Sequence, residues 1–225
     1  MNSAPPRSLA AYRFPAETSD TSVRHRLTGE LVSKIFTATM FSWLALRLAR
    51  DAVQTGHVTG LLLLVSESLV VALTLIRRPA GAVDRSALAR VLTTVSVIGP
   101  LLVRAGSNTA AAPDVLTALI SGVGLTFVVV GKLSLGRSFG LAPANRGVVS
   151  TGLYRFVRHP IYVGYLITHV GFAIANPLAW NLVILPTADI ALMLRARREE
   201  RTLAADPAYL DYMQRVRWRL VPGVF

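Results

Sequence analysis

Between Gly152 and Tyr165 the chain reads GLYRFVRHPIYVGY, and further on it reads LRARREER, which contains Arg195, Glu199 and Glu200. These residue types suit the binding and aiming of charged groups. A fixed guanidinium grips a carboxylate through two parallel bonds, a glutamate holds an ammonium, and a helix opening at His159-Pro160 leaves amide donors free for an anion. Arg195 and Glu199 are four residues apart and share a helix face. On spacing alone, LRARREER also fits a solvated helix end.

The elements that must position these residues are apolar. Runs near the length that spans a bilayer fall at Leu31 to Leu48, His57 to Ile76, Ala87 to Val103 and Val115 to Leu135, and a further pair at Pro160 to Ala175 and Leu178 to Leu194. Only Asn176 and Pro177 separate the last two, so they are predicted to be antiparallel neighbours. That return brings Arg195 and Glu199 to the level of Tyr154 and His159. The fold class is therefore all-α: a polytopic helical membrane protein with about six transmembrane helices, or five without the first, a C-terminal helical hairpin and an amphipathic tail helix. Three regions result: a basic N-terminal segment over 1–30, helices serving as scaffold and lipid access over 31–135, and a C-terminal catalytic region over 136–225.

Composition agrees. Of 225 residues, 52% are hydrophobic and only 16% charged, too apolar for a soluble domain of this length. The net charge of +12 lies beside apolar runs, so anionic lipid headgroups rather than nucleic acid are the expected counter-charge. Basic residues crowd the N-terminus (Arg7, Arg13, Arg24, Arg26), the loops with Arg77, Arg78, Arg85, Arg90 and with Arg137, Arg146, Arg155, Arg158, and the tail. All of these fall on one side of the predicted bundle. Both termini and the polar cluster are thus expected in the cytoplasm, with the chain a multi-pass protein of a bacterial inner membrane. The absence of cysteine excludes disulfides, thiolate metal ligands and a cysteine nucleophile, and no metal site is read from the sequence.

Other polar residues interrupt the apolar runs. Tyr162, His169 and Asn176 recur at seven-residue spacing with Tyr165 close by, a stripe expected to face protein or a cavity. Hydrogen bonding between helices is the simpler role for His169 and Tyr165. Glu67 and Asp189 are either functional acids or partners for neighbouring helices. Gly122 and Gly124 lie inside a span with no strand before them and are expected to serve close helix packing, while Lys34 and Arg47 can snorkel. Asp206 and Pro207 read as a cap and a first-turn proline. The helix they open is predicted to set Tyr209, Leu210, Tyr212, Met213 and Val216 on one face, lying on the membrane or over the hairpin.

The combined pattern V-x-x-G-L-Y-x-x-x-R-H-P-x-Y-x-G, an apolar hairpin, R-x-x-x-E-E-x-x-L and Y-x-x-Y, over Phe139 to Phe225, resembles the isoprenylcysteine carboxyl methyltransferase family and its relatives, the phospholipid N-methyltransferases. The resemblance implies methyl transfer from S-adenosyl-L-methionine to a hydrophobic acceptor that reaches the site from the bilayer. By position it implies adenosine-side contacts from Val148, Val149, Gly152, Tyr154, His159, Pro160 and Tyr162. Glu199 takes the place of the acid that holds the amino group, with Glu200 beside it, and Arg195 stands where carboxyl-methylating members place an arginine near substrate. Arg146 and Phe139 depart from the histidine and glutamine common in the eukaryotic enzymes.

A lipid-like carboxylate is the expected acceptor, with an ethanolamine headgroup or a thiol as alternatives. An amine nucleophile has to lose a proton, and Glu199, Glu200 or His159 is available to help. Two readings of other classes stay open. A small transporter or channel would use Glu67, Asp189 and His169 as a polar path, and a non-catalytic scaffold would bind no cofactor. Oligomeric state is not legible.

Overall fold

The computed structural model describes residues 20–55, 58–80, 82–84, 86–104, 110–141 and 144–224. Arg7, Arg13, His57, Arg85, the connection around Asn108 and the side chains of Arg24, Arg26 and Arg47 lie outside the described residues. Most of the described chain is helical: α1 (Asp20–Thr55), α2 (Val58–Ile76), α3 (Ala87–Ile98), α4 (Asp114–Leu135), α5 (Pro160–Ala175), α6 (Ala179–Leu203) and α7 (Pro207–Arg215). Short 3-10 turns extend α3 over Gly99–Leu102 and precede α5 over Gly152–Arg155. Five predicted spans each coincide with one helix, and the stretch 31–48 lies inside the longer α1.

Two helical segments among the described residues, Asp114–Ser138 and Ala179–Leu203, are long and apolar enough to cross a membrane; Leu64–Ile76, Ala87–Leu102 and Pro160–Ala175 are shorter apolar helices. The outward surface of the bundle is apolar as well. Leu119 and Leu133 on α4, Leu182, Val183 and Ile190 on α6, and Ile35, Phe36 and Trp43 on α1 are all exposed. An apolar skin of this extent suits contact with hydrocarbon rather than water.

Small residues let α4 and α5 touch backbone to backbone. A Cβ added to Gly124 would lie 2.7 Å from the Gly164 carbonyl oxygen, and one added to Gly164 would lie 2.6 Å from that of Gly124. Gly131 meets Ile161, and Gly171 meets Ser121, at similarly short range. The glycines thus recur at seven-residue spacing on both helices, one stripe against another. Gly122, also expected to serve packing, has open space beside it, because two residues turn a helix by about 200° and put it on the opposite face from Gly124.

The Asn176-Pro177 turn is locked by buried Asn181, whose Nδ2 donates to the carbonyls of Asn176 (2.9 Å) and Arg104 (2.8 Å) and whose Oδ1 accepts from Arg104 N (2.9 Å). Beyond the turn, α5 packs chiefly on α4 and α6 chiefly on α3, where Ala188 sits against Gly99. The two helices of the hairpin therefore run antiparallel as facing walls, bridged by side chains.

Loops on the Arg195 side are lashed across this opening. The strand β1 (Ala82–Val83) pairs antiparallel with β2 (Ala144–Asn145), Ala82 opposite Asn145 and Val83 opposite Ala144. Ser86 caps α3 by accepting from Ala89 N at 3.1 Å, and Arg198 of α6 donates to both Ser86 Oγ and Asp84 Oδ2 at 2.9 Å. Asp206 caps α7 by accepting from Ala208 N and also accepts from Asn145 Nδ2, both at 3.0 Å. Tyr209, Tyr212 and Val216 are buried against Tyr154, so α7 covers the loop before α5. Leu210, predicted on that same face, is exposed; one residue turns the helix by about 100° from Tyr209.

Candidate active site

A cavity of ≈ 220 Å³, taken as the space open to the centres of water-sized spheres, runs between the walls of the hairpin. Of the residues singled out in the sequence, Val148, Val149, Tyr154, His159, Tyr162, Arg195 and Glu199 line it. Gly152, Pro160 and Glu200 are not among its lining residues.

Each of those three has a different local task. Gly152 adopts φ +59, the left-handed region open to glycine, and a Cβ there would lie 2.5 Å from Ser134 Oγ, so no side chain fits where the loop presses on α4. Pro160 is buried at the first position of α5, where its missing amide hydrogen removes no helical bond. Glu200 is a structural hub: its carboxylate accepts from Arg158 Nε (2.7 Å) and Arg219 Nε (2.7 Å) and lies 3.2 Å from His159 Nε2. Arg158 donates further to the carbonyls of Val216 and Arg217, both at 2.7 Å. The main chain of the tail closes the same joint, with Arg158 N bonded to Trp218 O and His159 N to Arg219 O, each at 2.9 Å.

Glu199 has the opposite surroundings. Its Oε2 accepts from the Tyr162 phenol at 2.7 Å, and no hydrogen bond engages Oε1 among the described residues. Adjacent residues on a helix point about 100° apart, which sends Glu199 into the cavity and Glu200 into the cation cluster. Tyr162 stacks on the His159 ring (5.1 Å between centroids, 17° between planes) and carries the Arg195 guanidinium over its own ring at 5.4 Å.

Arg195 is 5% exposed. It donates from Nη2 to the Leu141 carbonyl and reaches Ser96 Oγ from Nη1 at 3.5 Å, while its buried Nε has no hydrogen-bond partner. A guanidinium aligned by a carbonyl, stacked on a phenol and left with an unsatisfied buried N–H is arranged to meet an anion.

At the mouth, Tyr154 is buried and its carbonyl accepts from the Tyr212 phenol at 2.7 Å. Burial, and then the nearby charge of Glu199, push the Tyr154 phenol well above its usual range. Tyr209 and Leu203 complete an aromatic and aliphatic end wall with Val148 and Val149. Arg146 and Phe139, the two departures from the resembled pattern, both line the cavity. Arg146 is held by a bond from its Nε to the Arg78 carbonyl at 3.2 Å and fits because Gly140 has no Cβ to oppose its guanidinium. Burial, and next the charge of Arg77, lower its pKa.

Sequence reasoning missed Lys132. It is fully buried in α4, donates to Ser66 O (2.9 Å) and Ser66 Oγ (2.8 Å), and lies 3.7 Å from Glu67 Oε1, which itself lines the cavity. A lone lysine within an apolar run, with one acid in a neighbouring run, was the available signal. Asp189 is bound to His169, Nδ1 to Oδ1 at 2.6 Å, and His169 also lines the cavity.

No curated protein matches the chain. Residues 115–206 match the family model described as phospholipid methyltransferase, a stretch that holds α4, the loop, both walls of the hairpin and the cap of α7. The helices that supply Arg195, Glu199 and Tyr162 thus lie within a stretch similar to the phospholipid methyltransferase family, which covers about two fifths of the chain.

Proposed function

We propose that this protein is an integral membrane methyltransferase that uses S-adenosyl-L-methionine to methylate the carboxylate of a hydrophobic acceptor drawn from the bilayer. The observation that carries the reading is Arg195: buried, lining the cavity, lacking a partner at Nε, and one helical turn from Glu199. The chemistry of the wall supports the cofactor. Glu199 offers a carboxylate oxygen to an ammonium, Arg146 a cation to a carboxylate, and Tyr154, Tyr209, Val148 and Val149 an aromatic and apolar slot to adenine. When bound, the cofactor supplies an electrophilic methyl group.

The chain's own residues supply position and dryness. Arg195 fixes a carboxylate by two of its oxygens' lone pairs and aims one oxygen along the cavity. That oxygen already carries its charge, so no side chain has to accept a proton, and alignment with exclusion of water provides most of the rate. Glu200 holds the loop to the tail and takes no part in binding. Phe41 and Leu44 of α1 and Leu101 beyond α3 line the same cavity, which suits an acceptor with an apolar tail. We read the bundle as six membrane spans with both termini, the loops and α7 on the cytoplasmic side of a bacterial inner membrane, in keeping with the basic residues of those segments.

The test is calorimetric binding of S-adenosyl-L-methionine to the protein in nanodiscs, followed by transfer of its labelled methyl group into a lipid extract. Micromolar binding and a product that releases labelled methanol on base treatment are expected, since a methyl ester hydrolyses. A base-stable product would replace the carboxylate by an ethanolamine nitrogen or a thiol; no binding by folded protein would overturn the methyltransferase reading.

A further inference from the structure

The cavity continues past Arg195 and Tyr162 into a second polar zone that methyl transfer at Arg195 leaves without a task. Glu67, Tyr165 and His169 line it. They form one connected group. Ser66 Oγ donates to Glu67 Oε1 at 3.1 Å, Lys132 Nζ lies 5.9 Å from the centre of the Tyr165 ring, and that ring stacks on His169 at 6.4 Å with 15° between planes. His169 in turn binds Asp189 across the hairpin at 2.6 Å.

The depth of this zone is fixed twice. His169 is seven residues beyond Tyr162 on α5 and Asp189 six residues before Arg195 on α6, so at the helical rise both walls put the pair about 10 Å from the Arg195 level. The pair thus stands on a deeper turn of each wall than Tyr162 and Arg195.

A pair that served only to join α5 to α6 would be sealed between them. Here His169 lines the cavity, and no hydrogen bond engages its Nε2 among the described residues. With Asp189 accepting from Nδ1–H, the corresponding tautomer of the imidazole presents a lone pair at Nε2. Glu67, the second acid of the zone, is an acceptor too, with Lys132 beside it to balance its charge. At His169 Nε2 an acceptor without a donor calls for a donor on the ligand.

We infer that the methyl acceptor carries a hydrogen-bond donor, a hydroxyl or an N–H, in its apolar part about 10 Å from the methylated group, and that His169, oriented by Asp189, receives it. This rests on the reading of the cavity as the acceptor site. The enzyme then selects a functionalised lipid over a plain hydrocarbon chain, because a site built to bond a hydroxyl discriminates against the analogue that lacks it.

The experiment measures binding of octadecanoic acid and of its mid-chain hydroxy isomers to the full protein in nanodiscs. Wild type is expected to bind at least one hydroxy isomer about tenfold more tightly than the plain acid. His169→Phe and Asp189→Asn are expected to erase that preference while binding the plain acid as before. Equal binding of all the acids by wild type, or a preference that survives His169→Phe, overturns the inference. If His169→Phe does not fold, the wild-type ratio and the shape-preserving Asp189→Asn decide alone. S-adenosyl-L-methionine binding in the same sample separates the two readings: a hydroxyl preference without cofactor binding keeps the subsite and removes the methyltransferase, and cofactor binding without binding of any acid removes the subsite as stated.

Discussion

The Tyr162 phenol donates to Glu199 Oε2 at 2.7 Å, joining the two walls of the hairpin across the cavity. The bond fixes the carboxylate from one side and leaves its other oxygen to a ligand, while the same Tyr162 ring supports the Arg195 guanidinium from below. One tyrosine therefore sets the relative position of the carboxylate and the guanidinium that the proposed binding needs.

Glu199→Gln keeps the shape of this bridge and removes its charge. Affinity for S-adenosyl-L-methionine should fall by more than about tenfold, the scale for loss of a buried charged partner, with the thermal midpoint near that of wild type. Titration calorimetry of the folded variant checks this; unchanged affinity would take Glu199 out of the cofactor site.

Arg195→Ala should behave differently. Turnover should drop by about a hundredfold or more, the cost of losing a positioning and charge-stabilising group, with cofactor affinity close to wild type. Paired binding and single-turnover measurements separate the two effects, and lost cofactor binding in a folded variant would reassign the arginine to the cofactor.

Glu200 should be needed for stability. Glu200→Ala leaves Arg158 with two tail carbonyls and no carboxylate and removes one bond of Arg219, a loss of about 3–5 kcal/mol by the measure of broken buried pairs. A lowered midpoint in detergent, larger than that of Glu199→Ala, is the expected result.

The division of labour between Glu199 and Glu200 marks where the sequence stops being legible. The helices themselves are written locally: Pro160 opens α5, Asn176-Pro177 turns it, Asp206-Pro207 caps α7, and the apolar runs give α2 and α4 nearly to the residue and the start of α6, which runs on to Leu203 through its charged end. Which glutamate enters the cavity is decided by Arg158 and by tail residues 216–219, contacts between distant segments that leave no local pattern. The facing walls of α5 and α6 are equally hidden, because they follow from the Gly124–Gly164 contact pulling α5 onto α4. Lys132 was overlooked for the same reason, its partner lying two helices away.

That glycine contact gives a sharp prediction. Gly164→Leu puts a side chain where 2.6 Å separates the added Cβ from the backbone oxygen of Gly124, so α4 and α5 must part and the variant should lose several kcal/mol or fail to fold, more than an ordinary overpacked core site. Gly122→Leu, which meets open space, should express and elute like wild type; size-exclusion chromatography of both variants checks the contrast.

Acid should loosen the lashed loops first. The hydrogen bond from Arg198 holds the Asp84 carboxyl down, from 3.8 to about 2. A depressed native pKa means that the contribution is complete above the unfolded value and is lost as pH falls through the folded one. Protection factors for amide exchange at 82–84 and 144–145, which remove the intrinsic pH dependence of exchange, should hold down to about pH 4 and fall toward pH 2, whereas those of Asp84→Asn should be low already at neutral pH.

The joint at Glu200 also orders the birth of the molecule. Arg158 and Glu200 leave the ribosome before Arg219, and the main-chain bonds that residues 158 and 159 donate to Trp218 and Arg219 form only after α5 and α6 have been made. Until residues 216–219 emerge, the mouth of the hairpin is unsealed, and Glu200 and Arg158 lack their partners in the tail. Translation of residues 216–219 is thus the step at which the hairpin acquires its closed end.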